Sequence, residues 1–247
     1  MKLRLAVCAI ALGLSACSPA PEGEGDVAAG TAPAAKRMPL PDCATVEAQD
    51  AGADGWKHPD CRLMFPDQSG MAIEARYVPA EDDSTKVTVQ VVATGDATLQ
   101  TIDERMGNTF NGPLLEDFDK DGKVDIQVPL ETGNVNTTWA VWRQVADGKF
   151  VRVGEPSGVS LVKTDSGYIA AQARSSANAW GVSFYKLEGD VLAPVLTADV
   201  TAEGEPDKIT GVTCEITDDG GLAATGLTEE AAKAQFCAEP TVADIFK

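Results

Sequence analysis

The chain has 247 residues, of which 38 are acidic and 20 are Lys or Arg, and its formal net charge at pH 7 is −18. A field of this sign repels phosphate backbones and anionic lipid surfaces, which argues against a nucleic-acid-binding protein. The same field attracts a basic partner, although acidity alone also keeps an exported protein soluble.

Residues 1–16 have the organisation of a secretory signal. Lys2 and Arg4 precede an apolar run over residues 5–14, and small residues follow it. The run is too short for a membrane-spanning helix. We therefore expect residues 1–16 to direct export.

The signal ends in Leu14-Ser15-Ala16-Cys17, which resembles the bacterial lipobox. The resemblance implies acylation of Cys17, which becomes the new N-terminus after cleavage. The alternative is an ordinary signal that is cleaved near Ala16. Ser18 in place of an aspartate implies, by the same resemblance, a periplasmic protein that is lipid-anchored to the outer membrane.

Residues 17–42 are rich in proline, alanine and glycine and show no apolar periodicity. Such a segment buries too little apolar surface to fold, so it predicts a flexible tether. The remaining residues, 43–247, are enough for one mainly β domain or for two small ones.

The cysteines predict disulfides rather than a metal site. Cys8 leaves with the signal and Cys17 takes the lipid, and the others do not form a Cys-x-x-Cys pair. Four cysteines allow three connectivities, of which we favour the local one because each loop is short. The local pairs are Cys43 with Cys61 and Cys214 with Cys237.

From residue 71 onward, short segments alternate apolar and polar residues, which is the period of a strand with one buried face. Asp147-Gly148 and Glu188-Gly189-Asp190 separate such segments and predict hairpin turns. The pattern indicates a mainly β fold, an antiparallel meander of hairpins arranged as a sandwich or as a propeller-like array. The predicted strands are MAIEARYV, TKVTVQVVAT, KVDIQVPL, TTWAVWRQVA, KFVRV, GYIAAQARS, AWGVSFYKL and VLAPVLTADV.

One short C-terminal helix is predicted. Thr228 is its N-cap, Glu229 and Glu230 lie in its first turn, and it continues toward Cys237. A disulfide between Cys237 and Cys214 would attach this helix to the strand KITGVTCEIT.

The segment LLEDFDKDGKVDIQV gathers four aspartates around Gly122. Counted from Asp117, the carboxylates stand at positions 1, 3, 5 and 9 and the glycine at position 6, which is the spacing of an EF-hand calcium loop. Position 7 would contribute its backbone carbonyl. The predicted ligands of one Ca²⁺ in the loop 117–128 are Asp117, Asp119, Asp121, Lys123 and Asp125.

The loop departs from an EF-hand in two ways. Position 12 is Val128 instead of a glutamate, and both flanks read as strands, as in the calcium loops of integrin-type propellers, which this loop resembles. Glu116 or Glu131 could complete the ligand shell. The predicted role is structural, because Ca²⁺ would neutralise the loop and fix the hairpin register. The alternative is a solvated acidic turn.

The sequence offers little for catalysis. Its one histidine, His58, lies beside Pro59 and Asp60 in a predicted loop. Without a free thiol, Ser-His-Asp and Cys-His arrangements have little support, and zinc chemistry lacks ligands. No carboxylate pair is singled out for glycoside hydrolysis. We expect a protein that is not an enzyme.

The order of these segments resembles the calcium-binding immunity lipoproteins that protect bacteria from lysozyme-like effectors of the antibacterial type IV secretion system. The resemblance rests on the lipobox followed by LEDFDKDGKVDI, GNVNTTWAVWRQVADGKFVRV and SGYIAAQARSSANAWGVSFYKLEGDVLAPV. It covers roughly residues 70–197 and excludes the region of Cys214 and Cys237. The matching residues are Asp117, Asp119, Asp121, Asp125, Trp139, Trp142, Gly148, Lys149, Phe150, Tyr185, Gly189 and Leu192.

The resemblance implies a periplasmic lipoprotein that inhibits a basic, lysozyme-like peptidoglycan hydrolase by occupying its substrate cleft. Tyr168 and Arg174, near a turn at residues 175–178, are candidate partner contacts. The alternatives are a calcium-stabilised β lipoprotein that acts as a scaffold or adhesin without catalytic activity, and a calcium-dependent glycan enzyme.

Overall fold

Antiparallel β-strands make up most of the chain, which confirms the mainly β prediction. The structure is a computed structural model, and it describes residues 39–52, 55–81, 83–205 and 208–247. The predicted signal, Cys17 and most of the tether lie outside these described residues. None of the helices in the described ranges is both long and apolar enough to cross a membrane.

The first sheet is a meander in which each strand pairs with the next along the chain. A short hairpin precedes it. The strands of the hairpin are β1 (Gln49–Asp50) and β2 (Trp56–Lys57), and those of the sheet are β3 (Cys61–Met64), β4 (Ala72–Pro79), β5 (Thr85–Val92) and β6 (Thr98–Met106). In β5, Val87, Val89 and Val91 are fully buried, as their alternation with polar residues predicts.

The second sheet is built in the same way, with β11 added beside β9. Its strands are β7 (Leu114–Glu116), β8 (Asp125–Thr132), β9 (Thr137–Ala146), β10 (Lys149–Gly154) and β11 (Ser157–Gly158). The inner strand β8 contains Pro129, which lacks a backbone donor. Its ladder with β9 accordingly shifts register between Pro129 and Glu131, so the proline lies at a bulge.

The third sheet carries the helices. Its strands are β12 (Ser160–Lys163), β13 (Ile169–Arg174), β14 (Ala179–Glu188), β15 (Val191–Glu205) and β16 (Lys208–Asp218), and α1 (Glu229–Cys237) and α2 (Pro240–Ala243) follow. Phe236 of α1 is fully buried, with its ring centroid 4.7 Å from that of Phe184 and 4.9 Å from that of Tyr168. The Thr228 hydroxyl accepts a hydrogen bond from the Ala231 amide, so the predicted helix and its N-cap are confirmed.

Each of the three main sheets has the sequential strand order of a propeller blade. Both predicted hairpin turns are confirmed. Ala146 pairs with Lys149 around Gly148, and Glu188 pairs with Val191 around Gly189. The two glycines have φ of 64° and 60°, the left-handed conformation that such tight turns require.

The favoured disulfide connectivity is confirmed. Cys43 bonds Cys61 across a separation of 18 residues, and Cys214 bonds Cys237 across 23. The first bond joins the segment before β1 to the edge strand of the first sheet. The second joins β16 to the end of α1, as the sequence predicts.

Candidate metal centre

The aspartate loop, residues 117–125, connects β7 to β8 in the second sheet. The Asp117 carboxylate accepts hydrogen bonds from the backbone amides of Asp121, at 3.0 Å, and of Gly122, at 2.9 Å. Gly122 has a φ of 87°, which a glycine adopts at no steric cost. The loop thus closes on its first aspartate, and the glycine at position 6 makes the bend.

Three of the predicted ligands lie together. Asp117, Asp119 and Asp125 each offer one carboxylate oxygen, and these oxygens lie within 4.8 Å of one another. Calcium binds oxygen at about 2.4 Å, so two oxygens on opposite sides of one ion are separated by roughly 5 Å. The cluster therefore fits Ca²⁺ both in spacing and in its hard, anionic donors.

Asp125 is the most enclosed member of this cluster, with no exposed surface. Its two oxygens accept hydrogen bonds from the amides of Gln144, at 2.8 Å, and Phe118, at 3.3 Å. The pKa of Asp125 is raised to about 7, with burial as the largest cause. The hydrogen bond from the Gln144 amide opposes this rise, and the negative charge of Asp119 adds to it. Ionising this group beside other carboxylates costs free energy, which a bound cation would offset.

A cation from another strand faces the loop. Arg143, on β9, places Nε 2.6 Å from one oxygen of Asp119 and Nη2 2.9 Å from one oxygen of Asp121. The Asp119 side chain is only 4% exposed and the Arg143 side chain is 23% exposed, so the carboxylate end of this ion pair is the part that is shielded from water. Burial would lower the pKa of Arg143, but the hydrogen bond and charge of Asp119, with those of Asp121, raise it overall.

Arg143 supplies positive charge to two of the four aspartates, Asp119 and Asp121, and it was not predicted from the sequence. It lies 24 residues from Asp119, so no local motif connects the two. The available signal was its place in a strand predicted to pair with the strand after the loop. Because β8 and β9 are adjacent, a side chain on β9 reaches the end of the loop.

Asp121 and Lys123 form a second, more polar part of the loop. The Lys123 backbone amide donates to Asp121 at 2.9 Å, and the Lys123 ammonium lies 3.3 Å from the other Asp121 oxygen. Burial would raise the pKa of Asp121, but the hydrogen bonds from Lys123 and the charges of Lys123 and Arg143 lower it overall. Asp121 faces these cations instead of the three-carboxylate cluster, so its ligation of Ca²⁺, with the Lys123 carbonyl, stays a prediction.

A further lysine attaches the loop to the third sheet. Lys163, the last residue of β12, donates from Nζ to the backbone carbonyl of Asp119 at 2.5 Å. In return, Lys120 donates to the carbonyl of Lys163 at 3.1 Å. The loop is therefore held by contacts from both its own sheet and the next one.

Position 12 of the loop contributes no ligand, since Val128 is fully buried in the core. Glu131 accepts a hydrogen bond from the Asn108 amide at 3.0 Å and lies six residues from Asp125 on β8, or about 20 Å along a strand. Glu116 pairs directly with Asp125 across the β7–β8 ladder. Of the two glutamates considered, Glu116 is the one beside the cluster.

Of the two candidate partner contacts, Tyr168 comes immediately before β13 and Arg174 is the last residue of that strand. Tyr168 is half-buried and packs edge-on against Phe236. Arg174 is exposed, and its Cζ lies 5.9 Å from the centroid of the Trp180 ring. Six residues of strand separate them, or about 20 Å. They do not form one patch, and their role in binding a partner stays a prediction.

His58 lies outside the loop and faces ring and backbone groups. Its ring stacks on Tyr77 at 4.9 Å, and its Nε2 donates to the backbone carbonyl of Thr109 at 2.8 Å. Burial lowers the pKa of His58 and outweighs the opposite effect of that hydrogen bond. The imidazole is therefore neutral at neutral pH and packs as a ring.

No protein-family model and no curated protein matches the chain. One solved structure, described as "Structure of a Xanthomonas Type IV Secretion System related protein", is similar over 71% of this chain and 95% of its own, at 12% sequence identity and a TM-score of 0.38. At that TM-score the likeness supports no conclusion about the fold or function of this chain.

Proposed function

We propose that the chain is a periplasmic, lipid-anchored protein that binds and inhibits a basic, lysozyme-like peptidoglycan hydrolase, without catalytic activity of its own. The observation that carries the proposal is the surplus of carboxylates, 38 against 20 Lys and Arg. Several of the arginines pair with carboxylates of the same chain, so they are not free to neutralise the excess carboxylates, which can attract a basic partner. These arginines are Arg62, Arg76, Arg143 and Arg152.

Electrostatic attraction gives such an inhibitor a fast association rate. Opposite potentials on two proteins raise the association rate constant well above that of a neutral pair, and salt removes the advantage. A hydrolase that degrades a polar glycan has a cleft that accepts polar groups, so an acidic protein surface suits it. The family resemblance of the aspartate loop and the segments after it supports the same partner class.

Calcium would act in this protein as a structural ion. The carboxylates of Asp117, Asp119 and Asp125 would hold it, and its charge would offset most of the negative charge of the cluster. Because the loop joins β7 to β8 and contacts Lys163 of the third sheet, neutralising it would stabilise the frame that presents the acidic surface.

The test is the loss of turbidity of purified peptidoglycan in the presence of a panel of lysozyme-like hydrolases, including any encoded beside this gene. The full chain is added in calcium buffer and in chelator, with each hydrolase alone in both buffers as the control. We expect inhibition of at least one enzyme, weaker at high salt and weaker in chelator.

Two results would separate this proposal from its alternatives. Inhibition that is unchanged in chelator would support the inhibitor function and show that it does not require calcium. No inhibition of any hydrolase, including a neighbouring one, would overturn the proposal and favour a calcium-stabilised scaffold or adhesin.

A further inference from the structure

A pocket of about 560 Å³ opens beside the Cys43–Cys61 disulfide, and none of the aspartates of the loop lines it. Its volume lies in the range of pockets that bind drug-sized ligands, roughly 300–1,000 Å³. The aromatic pocket, as we call it, is walled by the rings of Trp56, His58, Tyr77 and Phe110.

The rings of the aromatic pocket are arranged in two pairs. His58 stacks on Tyr77, and Trp56 meets Phe110 edge to face, with centroids 5.7 Å apart. Phe110 is 48% exposed, which is unusual for a phenylalanine. The edge-to-face pair leaves ring surface open to the pocket, where an incoming group could stack.

The charge of the pocket has one sign. Among the described residues that line it, Glu47 alone carries a full charge, and its side chain is exposed. His58 is neutral because burial lowers its pKa, and burial, aided by the charge of Asp60, raises the pKa of Tyr77, so the phenol also stays neutral. The pocket is therefore aromatic, with a carboxylate at its margin.

We infer that the aromatic pocket binds an arginine side chain, with an apolar neighbour, from a basic protein partner. A guanidinium is planar and weakly hydrated, so it stacks on aromatic faces while its N–H groups reach a carboxylate. The pocket offers a guanidinium aromatic faces from Trp56 and Phe110 and a carboxylate from Glu47. The net charge of −18 favours the same cationic occupant over an anionic one.

This inference rests on the proposed function only for the identity of the partner. A basic hydrolase inhibited by this protein would bring exposed arginines to its surface. The pocket would then hold one of them and anchor the complex, since arginine and aromatic residues dominate the energy of many interfaces.

The binding test uses the full chain and a short synthetic peptide, acetyl-leucyl-arginyl-leucine amide. A second peptide carries citrulline, which keeps the shape of arginine and removes its charge. A chitin oligosaccharide serves as the glycan probe. Binding is followed by the ¹⁵N-indole NMR signals of the four tryptophans, with the Trp56 signal assigned by its loss in Trp56→Phe.

We expect the arginine peptide to shift the Trp56 signal and the citrulline peptide to bind at least tenfold more weakly. Phe110→Ala should weaken binding of the arginine peptide at least fivefold, and Glu47→Gln should weaken it and reduce its dependence on salt. Val212→Ala, which truncates a comparably exposed apolar side chain in the third sheet, should leave it unchanged.

Equal binding of the two peptides, or no shift of the Trp56 signal by any probe, would overturn the inference. A shift by the oligosaccharide alone would replace it with a glycan site. The turbidity assay distinguishes the two proposals. If Phe110→Ala inhibits as well as wild type, the protein is still an inhibitor, but the aromatic pocket is not part of its interface with the hydrolase. Binding of the arginine peptide without inhibition of any hydrolase would support the arginine site and overturn the proposed inhibitor function.

Discussion

The aspartate loop and the aromatic pocket are held together by opposite kinds of interaction. The loop places carboxylates close together, and they pair with Arg143 from β9 and with Lys123 within the loop, while Lys163 from the third sheet binds the Asp119 carbonyl. The pocket is formed by neutral rings, with a disulfide in its wall. The loop should therefore respond to cations, and the pocket to changes in packing.

The two regions also differ in how they are encoded. The carboxylates of the loop lie within residues 117–125 and form a spacing that is visible in the sequence. The rings of the pocket come from three segments, near residues 56–58, 77 and 110, and only folding brings them together. A local motif thus predicts the first site, whereas strand pairing creates the second.

Removing the cation from the loop is the largest expected effect. Arg143→Met leaves the nearly buried Asp119 without its charged partner, whereas Asp121 keeps Lys123, and leaving a buried carboxylate unpaired in this way costs about 3–5 kcal/mol of the free energy of unfolding. Urea unfolding in chelator measures the loss. Added Ca²⁺ should recover part of it, because the ion then supplies the missing charge.

The matched control for that variant is Lys86→Met. Lys86 pairs with Asp103 at 3.2 Å, but both side chains are more than half exposed, so its loss should cost less than about 1 kcal/mol. If the two variants lose equal stability, the loop does not depend on a buried ion pair.

Removing each disulfide in turn should show whether a loss of stability alone affects binding of the arginine peptide. Each closes a loop of similar length, so Cys43→Ala with Cys61→Ala, and Cys214→Ala with Cys237→Ala, should each lower the free energy of unfolding by about 3 kcal/mol. Only the first pair lies in the pocket wall. Binding of the arginine peptide should therefore weaken severalfold in the first double variant and stay at the wild-type level in the second; equal binding by both would disconnect the disulfide from the pocket.

Calcium should stabilise the loop through Asp125. At a free Ca²⁺ concentration one hundred times its dissociation constant, a single site adds about 2.7 kcal/mol to the free energy of unfolding. Asp125→Asn should remove most of that increment, since it takes away a buried anionic ligand. Urea unfolding with and without Ca²⁺ measures the increment.

Two glutamate variants sharpen this test. Glu131→Gln should keep the full calcium response, because Glu131 lies far along β8 and binds the Asn108 amide. Glu116→Gln should reduce the response if Glu116, opposite Asp125 in the ladder, completes the shell. A calcium response in Asp125→Asn as large as in wild type would place the ion elsewhere.

Much of the fold could be predicted from local sequence. The segment TTWAVWRQVA predicts β9 with its observed bounds, and the Asp-Gly turn and the Thr228 cap fix a hairpin and a helix end. Strand β6 was missed because TLQTIDERM has few apolar residues, and it forms because β5 pairs with its whole length. Strands β3 and β12 were missed because each has only 4 residues, too few to show a period, so pairing defines them. Strand β7 was predicted, because the segment before the aspartate loop reads as a strand.

The candidate sites divide along the same line. Closure of the loop around Asp117 and Gly122 follows from their spacing, because each contact spans at most a few residues. The part played by Arg143 depends on the register of β9 against β8, which a single sequence does not specify. The aromatic pocket went unnoticed because Phe110 and Trp56 are isolated aromatics until the strands between them pair.

The smallest expected effect is a pH dependence that comes from the pocket. Burial lowers the pKa of His58 below its ordinary value of about 6.5, so below that pH the unfolded chain takes up a proton more readily than the folded one. The free energy of unfolding should therefore fall as the pH decreases from about 7 through 6.5, and His58→Gln should remove this contribution. The ring faces Tyr77 and the Thr109 carbonyl, and Glu47 is the charged group that also lines the pocket.

Asp125 titrates in the same window with the opposite sign, because its raised pKa of about 7 makes the folded state gain stability as the pH falls. Both chains contain Asp125, so its contribution cancels in the difference between wild type and His58→Gln. That difference, measured by urea unfolding at pH 7.5 and 5.5 with calcium chelated, isolates the imidazole. A difference that does not change with pH would mean that His58 accepts a proton in the folded state as readily as in water, and that the pocket is more open to solvent than its stacked rings imply.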